Sequence, residues 1–138
     1  MATAREQRFD TLDVGATIVA FGRTFVGAPY TPATLEVPGD ERLVINLREL
    51  DCVTYVESML AMARVLHAGN PTFAAFKREL LRIRYRDGEL KGYPSRLHYF
   101  SEWIADGERR GLVRDLGREL SGVEDPRPLR FMTSHRGS

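Results

Sequence analysis

The sequence predicts a single α+β domain over residues 1–138. Three observations carry that expectation. Apolar residues step by three and four in several segments, the signature of helices with one buried face. Short apolar runs of strand length lie between turn residues. A chain of 138 residues, 43% of them hydrophobic, has enough apolar surface for one core and too little length for two comfortable domains.

In chain order, Leu12, Ile18, Val19, Phe21, Phe25 and Val26 give residues 11–26 a partly helical pattern that stops near Gly27 and Pro29. Pro32, Pro38 and Gly39 make Thr31 to Asp40 an irregular surface loop. Leu43-Val44-Ile45-Asn46-Leu47 reads equally as a strand or as an extended lead into the next helix. From Cys52, the residues Tyr55, Val56, Met59, Leu60, Ala63 and Leu66 mark one buried helix face, ended by Gly69-Asn70-Pro71. Phe73, Phe76, Leu80, Leu81 and Ile83 predict a second helix from about Thr72, and Gly88, Gly92 and Pro94 break the chain after it. Ser95 is the predicted N-cap of a third helix carrying Leu97, Phe100, Trp103 and Ile104 and ending near Gly111. Leu112 to Leu120 and Leu129 to Met132 are candidate strands.

Charge and composition exclude several classes. Twenty Lys and Arg against 19 Asp and Glu leave a net charge of +1, so no long-range field favours nucleic acid or an anionic membrane. The basic cluster from Lys77 to Lys91 alternates with apolar residues, as a solvated helix edge does. One cysteine excludes an internal disulfide. The widely spaced His67, His98 and His135 make no zinc pattern, so neither metal nor cofactor is implied. Apolar stretches are interrupted well short of the roughly 20 residues a membrane span needs. The N-terminal residues lack the apolar core of a secretory signal. Oligomeric state leaves no mark on the sequence.

The position of Cys52 is the most informative feature. It follows Asp51 and opens a helix, where unpaired backbone N–H groups and the positive end of the helix dipole favour the thiolate, the reactive form of cysteine. The plain alternative is a small buried apolar residue. Helix-start placement, the neighbouring Asp51 and the upstream Gly27-Ala28-Pro29-Tyr30 turn, which could bring a phenol toward the thiol, favour the functional reading.

Gly27-Ala28-Pro29-Tyr30 followed by Asp51-Cys52-Val53-Thr54-Tyr55-Val56 resembles the opening of the NlpC-type, papain-like cell-wall peptidases. Thr34-Leu35-Glu36, the run from Leu43 to Cys52, Ile83-Arg84-Tyr85-Arg86-Asp87-Gly88 and the run from Ser95 to Trp103 resemble its N-acetylmuramoyl-L-alanine amidase-like branch. The resemblance implies a papain-like α+β fold, here a helical portion with a few short strands and without its C-terminal strands. It implies a cysteine amidase that cuts the amide between N-acetylmuramic acid and L-alanine in peptidoglycan fragments. Cys52 would be the nucleophile, with Tyr30, Arg96, His98 and Tyr99 lining the substrate cleft.

The superfamily's catalytic histidine comes in a His-Val-Gly-like segment, and no such segment occurs here, so the chain alone is expected to be poorly active or inactive. His67 is expected to complement the dipole at a helix end, and His135 to be exposed near the terminus. Asp51 should cap its helix, and Glu57 should face solvent or a basic neighbour. Two rival readings stand beside the amidase: a muropeptide-binding module that does not catalyse, and a general cysteine hydrolase with His98 as base, which requires His98 within hydrogen-bond reach of the thiol. The resemblance implies the bacterial envelope or periplasm, and the missing export signal leaves the cytoplasm open.

Overall fold

The computed structural model describes residues 8–117, 119, 120, 122 and 123. Among the described residues four α-helices form: α1 (Val14–Thr24), α2 (Cys52–His67), α3 (Phe73–Arg84) and α4 (Phe100–Arg109). Short 3-10 turns lie at Phe9–Thr11, Arg86–Gly88 and Tyr93–Ser95. Two compact units are distinguished, one ending at Leu97 and one beginning at His98.

The papain-like α+β expectation is overturned. About 51% of the described residues are helical and no sheet forms among them. Extended pairing among the described residues is limited to two isolated bridges, Tyr30 with Leu50 and Tyr85 with Arg96. The apolar run from Leu43 to Leu47 is irregular: no neighbouring strand pairs with it among the described residues, and its Val44 carbonyl accepts from the Arg84 side chain instead. Nor is the segment Leu112 to Leu120 a strand at its described positions. Its backbone turns instead, with Asp115 N–H donating to Glu108 and Gly117 N–H to Asp115. Leu129 to Met132 and His135 lie outside the described residues.

In the first unit α2 is the central helix, with α1 and α3 packed on it. Ten of its 16 residues are buried, so it is enclosed on more sides than a one-faced pattern suggests. Val56, expected on the buried face, is exposed. The crossing of α1 and α2 is close because Gly22 has no side chain: a Cβ there would lie 2.3 Å from the Tyr55 hydroxyl oxygen. Phe9 packs edge-on against Phe21 at 5.4 Å. At the far end of α2, His67 Nε2 and Thr17 Oγ1 are 3.0 Å apart, so His67 ties the last turn of α2 to α1 besides lying at the helix's negative pole.

Helix starts follow local chemistry. Asp13 accepts from Ala16 N–H at α1 and Thr72 from Ala75 N–H at α3. Ser95 is not a helix cap. Its Oγ accepts from Lys91 N–H at 2.8 Å and donates to the Gly92 carbonyl, closing a tight turn, and the helix beyond begins five residues later at Phe100. In the second unit, the rings of Phe100 and Trp103 stack at 5.3 Å, and Asp106 is paired with Arg110 at 2.6 Å.

Candidate active site

Cys52 is the first residue of α2 and is exposed. The start of its helix is fixed by a reciprocal cap. Asp51 Oδ1 accepts from Thr54 N–H at 2.7 Å, while Thr54 Oγ1 accepts from Asp51 N–H at 2.9 Å. Tyr55 N–H goes to the Asp51 carbonyl. The N–H groups of Cys52 and Val53 are therefore left without a partner inside the helix, which is what an anion at the thiol or beside it requires.

The Gly27–Tyr30 turn is brought to this point by backbone pairing. Gly27 has φ of 93°, a conformation L side chains avoid, and it reverses the chain after α1. Leu50 N–H then donates to the Pro29 carbonyl and Thr31 N–H to the Leu50 carbonyl, both at 3.1 Å. Tyr30 thus stands opposite Leu50, two positions before Cys52, and its ring is exposed. Just before the bridge, Asn46 Oδ1 accepts from Arg48 and Glu49 N–H, an Asx turn that gives this stretch its bend.

Arg96 lies in the first unit but is buried, and acids of the same chain occupy it. Its Nη2 donates to Glu36 Oε1 at 2.6 Å, its Nε is 3.5 Å from Glu41 Oε1, and its guanidinium carbon lies 4.9 Å from the Tyr93 ring centroid. Tyr85, fully buried, brings its hydroxyl within 2.7 Å of the same Glu41 oxygen and within 3.1 Å of the Arg42 carbonyl. Burial first, then the bond and charge of Glu41, push this phenol well above its ordinary 10.0. His98 and Tyr99 open the second unit, both half-buried, with Tyr99 O accepting from Trp103 N–H at the start of α4.

Sequence reasoning missed the buried pair of Glu57 and Arg84. Arg84 Nε donates to Glu57 Oε2 at 2.8 Å with both side chains all but sealed from solvent, and Arg84 Nη1 also donates to the Val44 carbonyl. The available signal was an acid within the apolar pattern of α2 and an arginine closing the apolar pattern of α3. Of the two environments foreseen for Glu57, the basic neighbour is the one found.

A groove of about 380 Å³ lies at the other end of α2, lined by residues including Arg64, His67, Arg78 and Glu79. Arg64 is bonded to Glu79 and His67 to Thr17, so several of its polar groups serve the packing of the helices. Among the described residues no group of three His, Cys, Asp or Glu side chains could hold a metal, and no helix is long and apolar enough to cross a membrane.

The fold and the site define a mostly helical scaffold that presents one thiol at a capped helix start. A family model described as AmiA-like, N-acetylmuramoyl-L-alanine amidase-like, matches residues 20–137, and the chain belongs to that family. It is similar to the crystal structure of an N-acetylmuramoyl-L-alanine amidase from Bacteroides uniformis, at 38% identity and a TM-score of 0.79 over 90% of this chain and 52% of that one. A second similar structure, from Bacteroides fragilis and named a "putative xylanase", gives 44% identity and a TM-score of 0.73 over 84% of this chain and 50% of that one. The chain thus spans about half the length of these solved structures. No curated protein matches it.

Proposed function

We propose that this chain carries the nucleophile of a cysteine-dependent amidase acting on peptidoglycan fragments at the N-acetylmuramoyl-L-alanine bond, with the cell envelope as its setting. The observation that carries the reading is the exposed Cys52 at the capped start of α2, beside the Tyr30 bridge. Family membership and the name of the Bacteroides uniformis structure support the choice of amide and substrate. The thiol chemistry is that of the NlpC-type cysteine peptidases, which the motifs around Tyr30 and Cys52 resemble.

In this mechanism the Cys52 sulfur attacks the lactyl carbonyl carbon. The oxygen gathers negative charge facing the N–H groups of the first turn, and the C–N bond breaks to leave a thioester and the L-alanyl amine. The amine collects a proton as it leaves, the task an imidazole performs in such reactions. Water then cleaves the thioester and returns the thiol. Tyr30 is assigned to substrate contact. Arg96 is already committed to Glu36 and Glu41, so a substrate carboxylate would have to compete with those acids for it.

A second reading is favoured by the place of His67: bonded to Thr17 at the far end of α2 from Cys52, it offers the thiol no imidazole, and this chain would then bind muropeptide without turning it over. One experiment separates the two. Purified chain and Cys52→Ser are each incubated with a disaccharide-peptide, and both released L-alanyl peptide and binding are measured. Release that requires Cys52 supports the amidase. Equal binding by both proteins, with no release from either and no acyl adduct on Cys52 of the wild type by mass spectrometry, sinks it in favour of the binding module.

A further inference from the structure

The segment from Glu41 to Glu49, which leads into Asp51-Cys52, has neither helix nor strand to hold it. An unpaired stretch of that length forfeits about 1–2 kcal/mol of backbone entropy per residue on ordering, so something must fix it. The structure shows what does. Arg84 reaches the Val44 carbonyl with one nitrogen and Glu57 of α2 with another, and Tyr85 reaches both Glu41 and the Arg42 carbonyl. Two consecutive residues at the end of α3 therefore grip the lead-in, and through Glu57 they fix it to the helix that Cys52 begins.

We infer that Arg84 and Tyr85 are positioning residues for Cys52, setting the approach of its lead-in to α2 and so the geometry of the first-turn N–H groups around the sulfur. Neither touches the thiol. Both act through the backbone between Glu41 and Leu50, whose far end is held by the Tyr30 bridge. A grip made of one guanidinium fork and one hydroxyl tolerates little substitution: lysine keeps the charge of Arg84 but cannot serve Glu57 and Val44 together in the planar manner of arginine. The inference gives catalytic meaning to α3 only if Cys52 is the nucleophile, yet it is tested on the thiol itself.

Cys52 is the only cysteine, so the rate of its alkylation by iodoacetamide at pH 7 reports on this one atom. Tyr85→Phe and Arg84→Lys are compared with wild type and with Thr17→Val, which loosens the opposite end of α2 by removing the contact with His67. The expected result is alkylation about threefold slower in both grip variants, with displaced amide resonances from Leu50 to Thr54, and neither effect in Thr17→Val. Since Cys52 is already exposed, loss of packing alone would not slow the reagent. A rate that is unchanged or faster in Tyr85→Phe, or equally slow in Thr17→Val, overturns the inference. Should Tyr85→Phe fail to fold, Glu41→Gln, which weakens the same contact, decides by the same criteria. Peptide release that survives Cys52→Ser would end the nucleophile reading without touching this comparison.

Discussion

Glu57 and Arg84 form an ion pair of 2.8 Å between α2 and α3 with almost no access to water on either side. Removing one partner strands a charge in the interior, which costs about 3–5 kcal/mol, while the intact pair itself contributes much less. Glu57→Ala should lower the unfolding free energy by that amount. Adding Arg84→Met should recover part of the loss, because the stranded guanidinium goes with it. Urea denaturation of the two variants checks this, and strict additivity would contradict it.

The contact of Gly22 with Tyr55 predicts a rescue. Gly22→Ala places a methyl group where the Tyr55 hydroxyl now lies, and overpacking of this kind costs about 1–3 kcal/mol. Tyr55→Phe in the same chain removes the offending oxygen and leaves the nearest ring carbon at 3.3 Å, a contact that small shifts relieve. Thermal unfolding should therefore show the double variant more stable than Gly22→Ala alone.

Tyr85 sets an alkaline limit. Its folded phenol is raised above the unfolded value of 10.0, so the native state keeps the proton that the unfolded chain releases. The resulting stability is whole below about pH 10 and is lost as pH climbs toward the folded value. The urea midpoint of wild type should fall more steeply above about pH 10 than that of Tyr85→Phe. Parallel curves for the two proteins would refute the assignment.

The helices were legible in the sequence because their signals are local. Asp51 caps α2 as its position implies, Thr72 caps α3, and the periodic apolar residues of both helices mostly face the core. The run from Leu43 to Leu47 was ambiguous for a physical reason: its composition suits a strand, and only a partner strand would have made it one. Its Val44 carbonyl is taken instead by Arg84, 40 residues away, a distance that no periodicity reports. The same holds at the site. Cys52 could be singled out from its helix start and Tyr30 from its turn. The burial of Arg96 among Glu36, Glu41 and Tyr93 depends on how the loops fold back, so its occupied state was invisible in the sequence.

The lone, outward-facing sulfur also governs how the protein must be handled. With no second thiol in these 138 residues to close a ring, any disulfide that mild oxidation by air makes is intermolecular. Each such bridge would tie two molecules together at the very atoms proposed for attack. Samples kept without reductant would then lose monomer and reactive sulfur in step, and dithiothreitol would return both.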